Sequence, residues 1–385
     1  MKICHVITRM IIGGAQENTL FSCQGQVDAG HDVTLITGPT TGPEGTLLDK
    51  QQVKGLRVIE LPTLVRELNP MVDLKAHRDL KKIFNTMNFD IVHTHASKAG
   101  IVGRTAAWAA KVPGILHTVH GPAFHSYEKA WKNRLYIAAE KFAAKRCHKI
   151  LCVANAMTEQ FVDAGVAKRD FFETVYSGME LSEYLEDGDG VDIRRQLDIP
   201  REALVIVKLA RLFELKGHDF IIEAAKETCA KFPNAIFVFI GNGLLEDDLK
   251  AKIDAAGLMA HFRFAGLIPP SEVPRYLKVA DVLCHLSLRE GLPRAVVQGL
   301  ASAKPVVAYA LDGSPEVVLN GKTGFLCSPE SIDEVVNGFE ELLSSSDLRR
   351  EYGENGRQLV KDRFCWKAMC RRLEEQYQGV LSRLD

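Results

Sequence analysis

The sequence predicts an α/β protein built from two doubly wound, Rossmann-like domains, and three observations predict it. Short β-branched runs alternate with longer helical patterns from end to end. The runs are continuously apolar, as strands of a parallel sheet covered on both faces must be. An acidic, glycine-containing break at 183–192 divides the alternation into two similar stretches, in a chain whose 385 residues exceed what one core usually serves.

Strand patterns in the first stretch cover 2–8, 32–37, 56–61, 90–95, 114–119, 149–153 and 172–176, with helical patterns at 15–29 and 73–87. Gly13-Gly14 follows the first strand and opens the first long helix. Adjacent glycines let the backbone come close to a ligand at a helix start, where free amides attract anions. A plain tight turn is the other reading. The pair is not G-x-G-x-x-G, and no acid ends the second strand in the required context, which argues against a dinucleotide-dependent dehydrogenase. His93 and His95 end one strand, and His117, His120 and His125 surround the next. H-x-H spacing occurs in some metal sites, but no carboxylate-rich partner motif accompanies it here, so no metal is expected. His120-Gly121-Pro122 reads better as a hydrogen-bonding group in a crevice, and Lys98-Ala99-Gly100 could bring a cation to the same rim.

Positive charge concentrates at 75–149, which holds 14 Lys and Arg against 4 Asp and Glu. From Lys129 to Lys149, basic residues alternate with Trp131, Leu135, Tyr136, Ile137 and Phe142, the pattern of a basic amphipathic helix. Two readings stay open: a solvated face over a core stripe, or a helix lying on an anionic membrane surface.

In the second stretch, strand patterns cover 203–209, 235–240, 261–264, 281–285, 305–309 and 324–327, with helical patterns at 216–231 and 244–256. Arg211 and Lys216 bracket the loop that leaves its first strand. Two fixed cations there suit a diphosphate, both for binding and for the charge it gathers as a leaving group; surface salt bridging is the plainer alternative. Arg289-Glu290-Gly291-Leu292-Pro293 describes a loop opening a helix to about residue 303, with proline at the first helical position, where its missing N–H costs nothing. Gln298 lies about two turns further along, so Glu290 and Gln298 could grip different parts of one extended ligand. Asp187-Gly188-Asp189 reads as a solvated linker rather than a metal-binding D-x-D. The tail is mostly helical, with a break at Phe364-Cys365-Trp366 before a last helix at 367–384. The expected domains are 1–180 and 181–363, followed by the helical segment 364–385. Any ligand is expected in the crevice at the carboxyl ends of the strands.

Composition narrows the class. A 46% apolar and 25% charged content is that of an ordinary globular protein, and a net charge of -1 argues against general nucleic-acid binding. The nine cysteines are scattered with no C-x-x-C pair, which fits buried thiols in a reducing compartment. The N-terminus lacks a signal-peptide pattern and no apolar run reaches ~18 residues, so a cytoplasmic protein, or one peripheral to the inner face of a membrane, is expected.

Taken together, these segments resemble the family 4 retaining glycosyltransferases of the GT-B fold over essentially the whole chain. The segments are Gly13-Gly14-Ala15-Gln16, His93-Thr94-His95 with Lys98-Ala99-Gly100, and Thr118-Val119-His120-Gly121. They continue with Arg211 through Lys216-Gly217, Gly241-Asn242-Gly243, Arg289 through Pro293, and Gly313-Ser314-Pro315-Glu316. The resemblance implies that Arg211 and Lys216 hold the diphosphate of a UDP-linked nucleotide-sugar donor, as a substrate rather than a cofactor, and that 364–385 returns to the first domain. Glu290 and the amides of Gly291 and Leu292, next to Pro293, would contact the donor sugar, the Gly13-Gly14 loop would approach the phosphates, and His120 would lie by the transferred sugar. The segment around Leu267 would border the base. No divalent metal is implied, and the acceptor would be a glycan or a lipid-linked sugar of cell-surface polysaccharide synthesis. One departure stands out: where the family commonly has a second glutamate for the ribose hydroxyls, this chain has Gln298, whose amide can still accept and donate. A phosphorylase of the same fold, or a non-catalytic sugar-nucleotide binder, are the alternatives.

Overall fold

The computed structural model describes residues 1–40, 45–188 and 190–383. Asp189 of the linker reading and the expected end of the last helix at Leu384 lie outside them. The chain forms two compact units, one of Met1–Met179 with Phe364–Asp385 and one of Glu180–Arg363.

In the first unit, seven parallel strands are β1 (Lys2–Ile7), β2 (Asp32–Thr37), β3 (Arg57–Glu60), β4 (Ile91–His95), β5 (Gly114–Val119), β6 (Lys149–Cys152) and β7 (Phe172–Thr174). Their order is β3-β2-β1-β4-β5-β6-β7. Every residue of β4 and β5 is buried, as their unbroken apolar character requires of strands with helices on both faces. The last helix, Trp366–Leu381, belongs to this unit. Its Met369, Leu373, Tyr377 and Val380 recur at helical spacing and pack on Ile3, Ile91, Leu116 and Leu151 of four neighbouring strands. Its close approach to the first helix, Gly14–Asp28, needs Gly25, where a Cβ would come within 2.4 Å of Cys370 Sγ. The chain leaves at Met179 and returns at Phe364 side by side: Met179 N–H donates to the Phe364 carbonyl at 2.9 Å, and Trp366 N–H to the Met179 carbonyl at 3.1 Å.

The second unit carries six parallel strands, β8 (Leu204–Leu209), β9 (Ala235–Ile240), β10 (Phe262–Gly266), β11 (Val282–His285), β12 (Val306–Tyr309) and β13 (Gly324–Cys327), in the order β10-β9-β8-β11-β12-β13. Phe237, Phe239, Phe262 and Phe339 fill its core with Ile221, Leu249 and Leu342. Strand order reverses between β1 and β4 in one sheet and between β8 and β11 in the other. At such switch points successive loops diverge to opposite faces and leave a crevice at the carboxyl ends of the strands. The Gly13-Gly14 turn follows β1, the Arg211–Lys216 loop follows β8, and the Glu290 loop follows β11.

The helix after Pro293 is shorter than its sequence pattern indicates. It spans Arg294–Ala301, and Pro293 is its N-cap, with ψ 90 outside the helical range. The Pro293 carbonyl accepts from Val296 and Val297 N–H at 3.0 and 3.3 Å, so proline starts the helix from one position earlier than expected.

Candidate functional site

In the second unit, the loops after β8 and β11 are locked together by backbone contact. Leu288 N–H donates to the Leu215 carbonyl at 2.9 Å. Gly217, at φ +79, lies so close that a Cβ would come within 2.0 Å of the Leu286 carbonyl oxygen, so no side chain fits there. Leu215 itself adopts φ 63, a strained conformation for a branched residue. This close packing brings Lys216 to Glu290: Nζ donates to Oε1 at 2.7 Å. His285 Nε2 stands 3.4 Å from the same oxygen. Burial pushes the Glu290 carboxyl up, but the His285 and Lys216 contacts outweigh it and hold the acid well below the usual carboxylate range. The Glu290 backbone is anchored too, its N–H donating to Asp312 Oδ2 at 2.7 Å, while Gly313 N–H reaches the Gly291 carbonyl at 3.2 Å.

Arg211 is exposed, its guanidinium carbon 5.1 Å from the Phe213 ring centre. An exposed guanidinium on the same loop as a half-buried ammonium suits an anion, which would compete with Glu290 for Lys216. The side chains of Leu292 and Pro293 are buried. Proline has no N–H, so the turn before it offers the amides of Gly291 and Leu292 to a ligand. Gln298 donates from Nε2 to Tyr184 Oη at 2.8 Å, which orients its amide. Leu267, 68% exposed, follows Gly266 at the end of β10.

Beneath the surface residues lies a group not singled out by spacing. Lys208 is buried on β8, and burial lowers its ammonium to about 8. His218 and His285 are buried nearby and held neutral, lowered by burial to about 3 and about 4. A lysine one residue before the end of an apolar strand is the signal that marks this layer.

In the first unit, Gly13 caps the first helix with extended backbone (φ 179, ψ 161) and Gly14 is its first residue. Any residue could adopt that backbone, so Gly13 supplies room rather than conformational freedom. Lys98 is not a spare cation at the rim: its Nζ lies 2.6 Å from Asp73 Oδ1. Ala96, directly after β4, holds φ 60, ψ 165, a strained conformation for a residue with a Cβ. His120 follows β5, and its Nε2 is 3.1 Å from His95 Nδ1. His5, His93 and His95 offer three ring nitrogens within 4.8 Å of one another, a grouping that could in principle hold a metal ion. All six of their ring nitrogens, however, already have protein partners. These are each other, Gln26, Tyr377, Thr118 and His120.

The basic stretch resolves into the helix Ala130–Ala144. Its inward face is small and polar: Ala143, Ala144 and Glu140, whose carboxylate pairs at 2.7 Å with Arg104, itself fully buried. Trp131, Leu135 and Phe142 point outward instead, 62%, 56% and 51% exposed. Of the two readings neither holds for the whole pattern: Tyr136 and Ile137 are half-buried, whereas Trp131, Leu135 and Phe142 form no core stripe.

Two doubly wound parallel sheets, one with Arg211, Lys216 and an anchored Glu290 on its switch-point loops, are the architecture of a glycosyltransferase of the GT-B fold. Comparison with known proteins agrees. The Glycosyltransferase Family 4 model matches residues 12–183 and the Glycosyl transferases group 1 model matches 191–359. The chain belongs to glycosyltransferase family 4. It is 30% identical over 351 residues, 90% of its own length and 89% of the relative's, to the UDP-Gal:alpha-D-GlcNAc-diphosphoundecaprenol alpha-1,3-galactosyltransferase of Escherichia coli. Among solved structures, it matches HepE of Anabaena in complex with UDP at TM-score 0.81 and 22% identity, over 98% of this chain and all of that one. It matches the sucrose-phosphate synthase of Thermosynechococcus elongatus at TM-score 0.84 and 18% identity, over the full length of both.

Proposed function

We propose that this glycosyltransferase moves a hexose from a UDP-sugar to a hydroxyl of a lipid-linked or glycan acceptor, with retention of anomeric configuration and without a divalent metal. The observation that carries the reading is the charged loop at the β8/β11 switch point, with Lys216 held against Glu290 at 2.7 Å and Arg211 exposed on the same loop as Lys216. In the reaction the bond from the anomeric carbon to the β-phosphate oxygen breaks, and a bond to the acceptor oxygen forms on the same face. The acceptor proton passes to the departing phosphate. Positive charge then gathers at the sugar ring and negative charge on the diphosphate. Arg211 and Lys216 meet the second, which is the work a metal would otherwise do. Glu290 would bind sugar hydroxyls, and the Gln298 amide oxygen would accept from the ribose in place of a carboxylate. Leu267 would border the base, Gly13 and Gly14 would give the phosphates room, and His120 would serve the transferred sugar.

The relative that uses a diphosphoundecaprenol-linked acceptor supports a lipid-linked acceptor here. The outward apolar stripe of Ala130–Ala144, flanked by exposed Arg134, Lys141 and Lys145, supports delivery of that acceptor at an anionic membrane surface. Among the described residues no helix is long and apolar enough to cross a membrane, so such binding would be peripheral. Incubation with UDP-galactose, UDP-glucose or UDP-N-acetylglucosamine and a GlcNAc-diphospholipid, with and without EDTA, tests the proposal. An α-linked disaccharide-lipid formed equally in both supports it. A β-linked product, or loss of turnover in EDTA, would contradict the retaining or metal-free part, and UDP binding without transfer to any sugar acceptor would favour a non-catalytic binder.

A further inference from the structure

Three side chains of the second unit meet at one carboxylate oxygen. Lys216 Nζ donates to Glu290 Oε1 at 2.7 Å, and His285 Nε2 stands 3.4 Å from the same atom. Their exposures order them: the Lys216 side chain is 25% exposed, Glu290 18% and His285 4%. Lys216 therefore meets solvent, while His285 approaches from the core. The lysine contact is a formed hydrogen bond, whereas among the described residues neither ring nitrogen of His285 has a hydrogen-bond partner.

The groups around the ring explain why it holds back. His285 ends β11, where its register neighbour on β12 is the uncharged Ala308. Lys208 on β8, Lys216 on the loop after it and His218, first residue of the helix His218–Lys231, disfavour a charge on the ring, and Glu290 favours one. Cys284 beside it and Tyr309 on β12 stay neutral, both raised by burial. Burial first and Lys208 next lower His285 to about 4, so it is neutral at pH 7 while Lys216 supplies the cation that Glu290 needs.

An anion that takes Lys216 changes this balance. It draws the ammonium from Glu290 and brings negative charge of its own towards the ring. A part-buried carboxylate deprived of its cation is costly, and the imidazole 3.4 Å away can become that cation by gaining a proton.

We propose that His285 is a positioning residue that takes over Glu290 when Lys216 turns to the donor's diphosphate. A proton from solvent adds to the bare ring nitrogen, and Nε2–H donates to Oε1. Release of the nucleotide returns Lys216 to Glu290 and the proton to solvent. Glu290 thereby keeps one orientation while its cation changes. The donor's part rests on the function proposed above; the exchange between Lys216 and His285 does not. Because the bound state has the higher proton affinity at the ring, donor binding takes up a proton and strengthens as pH falls.

Two measurements test this. The first is calorimetric titration with UDP-glucose and with UDP-galactose, neither of which titrates between about pH 5.5 and 7.5, in buffers of different ionisation enthalpy. Net proton uptake is expected, with affinity gaining up to about tenfold for each pH unit of acidification. The second is histidine-selective 15N spectroscopy of the nucleotide-free protein, with His285 assigned from the signal missing in His285→Gln. In Lys216→Gln, which keeps polarity but not charge, the His285 midpoint should rise by roughly one pH unit or more, a tenfold gain in proton affinity. A nucleotide sugar that binds without proton uptake, or a ring unmoved in Lys216→Gln, would overturn the exchange and leave donor binding standing. A ring that shifts in Lys216→Gln in a protein that binds neither nucleotide sugar would refute the donor and leave the exchange standing. Should Lys216→Gln fail to fold, the His285 signal of the native enzyme with and without UDP-glucose decides: protonation on binding supports the exchange, and a ring that stays neutral overturns it.

Discussion

At the scale of single residues, the β8/β11 switch point holds a charge pair that forms before any ligand arrives. Lys216 and Glu290 are paired at 2.7 Å, while Arg211 stays exposed to solvent. Arg211→Ala should therefore leave the fold intact and lower kcat by roughly 10²–10³, the loss typical of removing one preorganised donor to a developing charge. Steady-state rates with Tm unchanged would show it, and near-normal turnover would remove Arg211 from the mechanism. Below this surface the buried histidines make stability depend on pH. Burial lowers His5 and His285 to about 4, whereas the unfolded chain titrates near 6.5. Between those values the unfolded state binds protons that the native state refuses. Stability is thus full above 6.5 and is lost as pH falls towards 4, by ~1.4 kcal/mol per pH unit for each such histidine. Urea midpoints measured from pH 7 to 4.5 should fall accordingly, and His285→Gln should flatten the slope; a level profile in the native protein would mean that these rings are charged. Arg211, Lys216 and Glu290 were legible in the sequence because loops at strand ends announce themselves by glycine and proline. The Lys216–Glu290 contact was not, since 74 residues separate them and only the sheet order brings their loops together. Lys208, His285 and Asp312 escaped for the same reason, as did the Lys98–Asp73 pair, whose members lie on different helices.

At the scale of elements, periodicity located all the strands to within a few residues but could not say which way a helix would turn. The helix Ala130–Ala144 has apolar and basic residues in plenty, and its sequence fits either a core stripe or an outward one. The decision belongs to Glu140, whose pairing with buried Arg104 at 2.7 Å fixes the inward face. Removing one partner of such a pair strands a buried charge, so this orientation is strongly held. Trp131, Leu135 and Phe142 are left facing out beside Arg134, Lys141 and Lys145. If that face rests on a membrane, both components should matter. Co-sedimentation with vesicles containing phosphatidylglycerol should exceed that with neutral vesicles, by about 1 kcal/mol for each lysine or arginine near the surface. Trp131→Ala with Phe142→Ala should weaken it while leaving transfer to a water-soluble acceptor analogue unaffected. Binding indifferent to both lipid charge and these substitutions would assign the exposed stripe to something other than a bilayer. The start of the helix Arg294–Ala301 shows the opposite case, in which a local signal was right in kind and displaced by one residue, because proline capped the helix instead of entering it.

At the scale of the whole molecule, chain order and structural unit part company at the end. The two-part division was legible from the acidic break, but the last helix is integral to the first unit's core rather than an appendage to it. Met369, Leu373, Tyr377 and Val380 cover Ile3, Ile91, Leu116 and Leu151, and the Tyr377 hydroxyl also hydrogen-bonds Gln26 and His93. The residues that close the N-terminal sheet therefore follow the whole second unit along the chain, and until they arrive four strands lack their cover on that face. The second unit has a core of its own, in which none of these side chains takes part. Leu373, 2% exposed, is the sharpest probe of this arrangement. Leu373→Ala leaves a cavity in a closely packed interface and should cost ~2–5 kcal/mol. Native-state hydrogen exchange would locate that cost. Protection should fall in β1, β4, β5 and β6, the strands that touch the last helix, and stay unchanged in β8, β9 and β11 of the other unit. Equal loss in both sheets would mean that the two units unfold as one, and that the last helix supports the molecule in a way its contacts do not account for.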